Sequence, residues 1–270
     1  SGHSVSLSND GNTVAIGAIY NDGNGDDSGH VRVYKYENNT WTQKGSDIDG
    51  EAAGDESGYS VSLSNDGNTV AIGARQNDGN GNASGHVRVY EYDENVWTQK
   101  GGDIDGEVFL DYSGHSVSLS NDGNTVAIGA TLNDDNGSNS GHVRVYEYKN
   151  NTWTQKGSDI DGEAADDESG WSVSLSNDGN TVAIGAPYND GNGANSGHVR
   201  VYKYDDNGWT QKGIDIDGEA AFDYSGFSIS LSNDGNTVAI GARLNDNDNS
   251  DDSGHVRVYK YDVNGWTQKG

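Results

Sequence analysis

The sequence predicts an all-β fold, a five-bladed β-propeller with four antiparallel strands per blade. Three observations carry this: one segment repeated five times, apolar and polar residues alternating with period two inside it, and Gly, Asn and Asp clusters between the alternating stretches. The segment Ser-Gly-x-Ser-(Val/Ile)-Ser-Leu-Ser starts at Ser1, Ser57, Ser113, Ser169 and Ser225, each start 56 residues after the one before. The blades are therefore expected at 1–56, 57–112, 113–168, 169–224 and 225–270, together one domain. The fifth copy lacks the Asp-x-Asp-Gly-Glu tail of the others and carries an extra residue between Asn245 and Asp252. A start inside a repeat and the absence of Met read as an excerpt of a longer repetitive protein.

Within the first copy, Ser4–Ser8 alternates as a strand and Asn9–Asn12 is a tight turn. Thr13–Ala18 is the second strand, Asn21–Gly29 a loop, and His30–Tyr36 the third strand. Trp41–Gly45, continuing toward Ile48, is the fourth, followed by an acidic connection. A solenoid coil would use roughly 20–30 residues and fewer strands. Val5, Leu7, Val14, Ile16, Val31, Val33 and Trp41 with their counterparts are expected to pack one blade on the next, and Ala15 and Gly17 to let inner strands crowd. Trp97, Trp153, Trp209 and Trp266 repeat Trp41 as packing residues. Each terminal copy holds its own four strands, so side-chain packing between the first and fifth blades is expected to close the ring.

Composition narrows function. Forty Gly and a single Pro suit short strands and turns. Forty-three acidic against 16 basic residues give a net charge of -27, which repels nucleic acid and anionic membranes. No cysteine is present, which excludes disulfides and thiolate metal sites, and no apolar run approaches the roughly 20 residues of a membrane helix. A monomeric domain, without nucleic-acid partners or membrane insertion, is expected.

The run Ser-Val-Ser-Leu-Ser-Asn-Asp-Gly-Asn-Thr-Val-Ala-Ile-Gly-Ala followed by Gly-His-Val-Arg-Val-Tyr resembles a WD-type blade. It also resembles the FG-GAP repeats of integrin-type propellers: Ser57-Gly58 falls where those place Phe-Gly, and Gly185-Ala186-Pro187 spells their Gly-Ala-Pro. The resemblance covers the whole chain and implies an extracellular or cell-surface binding role. Integrin-type repeats hold calcium in a long hairpin between their first two strands, but that hairpin is here only Asn9–Asn12.

Strand order puts the second-to-third loops and the inter-repeat connections at one end of each blade. The first loop family offers alternating side-chain oxygens at Asp22 and Asn24, Asp78 and Asn80, Asp134 and Asn136, Asp190 and Asn192, and Asp246 and Asp248. These suit Ca2+ or Mg2+; the alternative, which the turn-forming habit of Asn and Asp favours, is a metal-free turn held by Asx bonds. The second family, Asp47, Asp49, Glu51 and Asp55, recurs as Asp103, Asp105, Glu107 and Asp111 and in the next two copies. Its Asp47 or Asp49 is expected to pair with the basic positions, Arg32, Arg88, Arg144, Arg200, Arg257 and Lys44, Lys100, Lys156, Lys212, Lys269, rather than with a metal. His30, His86, His142, His198 and His255 recur in every copy, as a structural residue does.

One position changes between copies while staying flat: His3, Tyr59, His115, Trp171 and Phe227, with Tyr20 and Tyr188 nearby. Rings beside acids and amides are what a glycan or an amphipathic peptide stacks on; the alternative is that they fill the space between blades. Because nearly every acid has counterparts, no separate acid and base pair stands out. The chain is accordingly expected to be a non-enzymatic adhesion module. A structural spacer is the alternative, and a glycan-active hydrolase the reading least favoured.

Overall fold

The computed structural model describes residues 1–246 and 252–270; Asp248, one of the expected metal ligands, lies outside them. The elements among the described residues are all β-strands, and no helix is long and apolar enough to cross a membrane. They form five antiparallel sheets of four or five strands, one to a repeat.

In the first repeat β1 (Val5–Leu7), β2 (Thr13–Ala18), β3 (His30–Glu37) and β4 (Thr40–Gln43) lie in chain order across the sheet. The hairpin between β1 and β2 is held by Asp10, which accepts the Ser8 hydroxyl at 2.7 Å and the Asn12 amide N–H at 2.9 Å. Bonds donated to a carboxylate favour its charged form, and the Asp10 carboxyl falls to about 2. The fourth strand differs from expectation. β4 pairs with the end of β3, from Tyr34↔Gln43 to Glu37↔Thr40, while a separate β5 (Ile48–Asp49) pairs with its start at Val31↔Ile48 and His30↔Asp49. Gly45 makes the break at φ 77°, a left-handed turn that a side chain would resist.

The chain packs as two compact units, residues 1–130 with 146–155, and residues 131–145 with 156–270. Within each, successive sheets meet face to face. In the first unit Ala15, Val31, Val33 and Ile48 of one repeat pack on Val61, Leu63, Val70, Ile72 and Trp97 of the next. The following seam repeats this with Ala71, Val87, Val89 and Ile104 against Leu119, Val126 and Ile128. In the second unit Ala183, Val199, Val201 and Ile216 meet Leu231, Val238 and Ile240. Burying each such aliphatic side chain contributes roughly 1.5–3 kcal/mol, so a seam outweighs any single polar contact across it.

Polar bonds then fix the register. Ser4 Oγ donates to the Gly58 carbonyl at 2.7 Å, and Ser6 Oγ accepts the Leu63 N–H at 2.9 Å. Trp97 Nε1 donates to the Lys44 carbonyl at 2.6 Å, and Lys44 Nζ to Asn68 Oδ1 at 2.7 Å and the Gly67 carbonyl at 2.5 Å. In the second unit the same positions bond: Ser172 to Gly226, Leu231 to Ser174, Trp266 to Lys212, and Lys212 to Gly235 and Asn236. The repeated lysine is thus a tie between hairpin carbonyls and amides, not the partner of Asp47 or Asp49.

Two sheet faces are exposed. Leu7 is 61% exposed where Leu63, Leu119, Leu175 and Leu231 are buried, and Val256 is 67% exposed where Val31, Val87, Val143 and Val199 are at 0%.

Close approach across the seam fixes where alanine is tolerated. A Cβ on Gly73 would lie 2.1 Å from the Gly114 carbonyl oxygen, whereas one on Gly102 would meet nothing. Gly73→Ala is expected to lower unfolding free energy by about 1–3 kcal/mol through overpacking. Gly102→Ala should leave it within about 0.5 kcal/mol. Urea denaturation followed by tryptophan fluorescence measures both.

Candidate functional site

The first loop family folds as turns. Asp22 Oδ1 accepts the Asp27 N–H at 3.0 Å, and Asp78, Asp134, Asp190 and Asp246 accept the N–H of Ala83, Asn139, Asn195 and Asp252. Asn24, Asn80, Asn136 and Asn192 turn their amides outward as donors, to the carbonyls of Gly50, Gly106, Gly162 and Gly218.

The second family divides by position. Asp55, Asp167 and Asp223 are buried and accept the side-chain amides of Asn77, Asn189 and Asn245 at 2.8–3.1 Å, tying each connection to the next repeat's loop. Asp47 takes Arg32 in a fork, Nε at 3.0 Å and Nη2 at 2.8 Å, as expected. Later copies differ. Arg88 donates instead to the Asp49 backbone carbonyl at 2.8 Å, with Nη1 3.4 Å from Glu51; Arg200 does the same toward Asp161 and Glu163. The change follows from packing, since only a repeat with another before it has those groups within reach.

Groups able to hold a metal lie beside these arginines. His30 with Asp47 and Asp49, Glu51 with His86 and Asp103, and Glu163 with His198 and Asp215 each bring three donor atoms within 4.8 Å. Burial lowers His86, His142 and His198 to about 4, so each imidazole is neutral at pH 7.

The flat position assembles as aromatic clusters. In the first unit His3 lies 4.7 Å from Tyr59 and Tyr59 5.2 Å from His115, ring to ring. Tyr20, exposed, lines with His3, His30 and Arg32 a cleft of about 460 Å³. In the second unit Trp171 packs 5.2 Å from Phe227 and edge-on 5.6 Å from Tyr188, and Tyr188 lies 5.4 Å from Tyr224.

Sequence reasoning missed the polar members of these clusters. Glu56, Tyr112, Glu168 and Tyr224 occupy one position and share a left-handed backbone, φ 50–58°, uncommon for residues with side chains. Glu56 pairs with Arg75 at 3.2 Å, and the guanidinium covers Tyr59 at 3.7 Å. Two copies on, Arg75 is replaced by Pro187. Glu168 has no such partner in Pro187, and burial with Asp166 beside it raises its carboxyl to about 7. Its charge is felt by the Tyr188 phenol, as is that of Arg243, which stacks 4.2 Å from Phe227 and 4.9 Å from Tyr224. The signal was present in the sequence: the position reading Ile19, Arg75, Thr131, Pro187, Arg243 varies more than its surroundings.

Three kinds of comparison bear on this geometry. A family model described as FG-GAP repeat matches residues 43–90, 105–146, 154–202 and 209–259. No curated protein sequence matches. Among solved structures, a periplasmic gluconolactonase of Pseudomonas aeruginosa superposes with a TM-score of 0.61 at 17% identity, over 98% of this chain and 70% of its own. A protein of Bacteroides uniformis described as a candidate 6-phosphogluconolactonase gives 0.56 at 12%, over 99% and 83%. Kuenenia stuttgartiensis hydrazine synthase gives 0.59 at 11%, over 98% of this chain and 65% of its own.

These likenesses correct the expectation of a non-enzymatic chain. Two of the three structures carry lactonase names, so the fold is shared with hydrolases. The premise behind that expectation, that repeated acids have repeated environments, also fails at Glu168, whose surroundings differ from those of Glu56.

The buried histidines set an acid limit on stability. Their folded pKa lies below the usual 6.5, so between pH 6.5 and 4 the unfolded chain binds more protons and stability falls as pH falls. In His198→Gln, the drop in melting temperature across that window should be shallower than in the unchanged chain, as read by calorimetry at successive pH values.

Proposed function

The chain belongs to the FG-GAP repeat family, and on that premise we propose that its sheets are propeller blades carrying a hydrolase site for a sugar-derived ester or lactone, centred on Glu168. The observation that supports this most is a half-buried carboxyl poised near neutral pH, near enough to act on the Tyr188 phenol, at a position where another copy neutralises its carboxylate with Arg75. A carboxylate with pKa close to the working pH is both ionised enough to accept a proton and basic enough to take one.

In the proposed reaction Glu168 removes a proton from water as the oxygen attacks the lactone carbonyl. The same proton then returns to the departing ring oxygen. The C–H face of the sugar stacks on Trp171 and Phe227, and the Arg243 guanidinium over Phe227 and Tyr224 is the cation available to the developing oxyanion. The net charge of -27 favours a neutral lactone over a phosphorylated one. A cell-surface or extracellular setting suits such a substrate.

Assay of the chain against neutral sugar lactones and sugar esters tests this. Turnover should rise with pH through an inflection near 7. It should fall by roughly 10²–10⁴-fold in Glu168→Gln, the range lost with a general base. Trp171→Ala should raise KM more than it lowers kcat. Absence of turnover across the panel, or full activity in Glu168→Gln, would overturn the proposal.

A further inference from the structure

In the first repeat both oxygens of Asp47 are engaged: Arg32 reaches each of them, and Gln43 Nε2 donates to Oδ1 at 2.6 Å. Its second-repeat counterpart Asp103 keeps the glutamine, Gln99 at 2.6 Å, but loses the arginine, because Arg88 has turned to the Asp49 carbonyl and to Glu51 Oε1. The short strand Ile104–Asp105 pairs with the start of the strand His86–Asp93, Asp105 opposite His86, and so brings Asp103 close to the His86 ring. Glu51 arrives from the connection that follows the first repeat. One donor atom from each of Glu51, His86 and Asp103 then lies within 4.8 Å of the others. The second unit builds the same junction from Glu163, His198 and Asp215: Gln211 holds Asp215 at 2.5 Å, and Arg200 has turned to the Asp161 carbonyl and to Glu163 Oε1.

The imidazole in each junction is buried without a bond. His86 and His198 are each 1% exposed, and neither ring has a hydrogen-bond partner among the described residues. Nε2 is enclosed, while Nδ1 points at Glu51 Oε2 and Glu163 Oε2 from 3.8 and 3.7 Å, beyond hydrogen-bond reach. A polar ring so buried costs free energy unless another atom takes its lone pair. We propose that Glu51, His86 and Asp103, and likewise Glu163, His198 and Asp215, bind a first-row divalent cation of the zinc class through one imidazole nitrogen and two carboxylate oxygens. That donor set suits Zn2+ better than the all-oxygen shells of Ca2+ or Mg2+. Ligands on a tetrahedral zinc ion stand roughly 3.4 Å apart, so each Nδ1 and Oε2 pair needs to close by only a few tenths of an ångström. Arg88 and Arg200 hold Oε1 of the two glutamates and leave Oε2 to the ion. Three protein ligands leave a position for water, and the ion joins one repeat's connection to the next repeat's sheet. His30, Asp47 and Asp49 form no such site, since the Arg32 fork already occupies Asp47.

Calorimetric titration of the 270-residue chain with Zn2+, after chelator treatment and in excess Ca2+ to occupy oxygen-only loops, provides the test. Tight Zn2+ uptake is expected, and His86→Gln and His198→Gln should each lose one equivalent of it. Either change alters a buried position, so Asp103→Asn and Asp215→Asn serve beside them. These two sit nearer solvent, keep the oxygen that accepts from Gln99 or Gln211, and should each lose the same equivalent. Circular dichroism checks that all four variants fold. Zn2+ should also shift the imidazole NMR resonances of His86 and His198, assigned by their disappearance in the two histidine variants. Absence of Zn2+ uptake in excess Ca2+ would overturn the proposal. So would uptake that is unchanged in all four variants, or uptake that leaves the His86 and His198 resonances where they were.

Discussion

The constraint on which the rest depends is the distance between successive sheets. Glycine at the Gly17 position is what allows it: a Cβ there would sit 2.1 Å from the next repeat's Gly58 carbonyl, and the same value recurs at Gly73 and Gly185. With the backbones that close, the Ser4, Ser60 and Ser172 hydroxyls reach the facing carbonyl at 2.7 Å, and valine and isoleucine fill what remains. A chain with only 31% hydrophobic residues builds a core because the seams bring small aliphatic side chains into close contact. No long side chain is needed where the sheets lie so near.

The same closeness dictates where the charges go. Basic residues are few and are spent across seams, on carbonyls and amides, as Lys44 and Arg88 show. Most carboxylates are left to the loops, where backbone N–H groups and asparagine amides take them. That accounts for a net charge of -27 on a folded chain. Turn bonds such as those to Asp10 hold acids ionised without any cation, so loop acidity is here first a device of backbone satisfaction.

The repeat length, the strand order and the packing residues were legible in the sequence because each is stated five times over and periodicity converts directly into faces. β5 was not, because two residues, Ile48 and Asp49, carry no period, and the break at Gly45 resembles any other glycine turn. The fork between Arg32 and Asp47 was legible as opposite charges on neighbouring strands. The use of backbone carbonyls by Arg88 and Arg200 was not, since no side chain in the sequence marks an acceptor that belongs to the main chain. The exposed faces escaped for a different reason: apolar pattern shows that a residue wants cover, and only geometry shows whether it has it.

Glu168 shows how a repeated scaffold acquires an asymmetric point. The backbone at Glu56 and Glu168 is the same, left-handed at φ 54° and 50°, so both carboxyls start from the same place. What differs is what lies beside them: Gly54 against Asp166 on the same connection, and Arg75 against Pro187 on the neighbouring strand exit. Arg75 brings a guanidinium to 3.2 Å of Glu56, whereas Pro187 brings no charge and no donor. Burial of Glu168 with no cation to offset it, and the Asp166 charge beside it, move its proton affinity into the neutral range. Counting acids per repeat could not reveal this, since the count is equal in both copies. The quantity that decides chemistry is the difference between one copy's surroundings and the next, and it resides in substitutions that leave the fold unchanged.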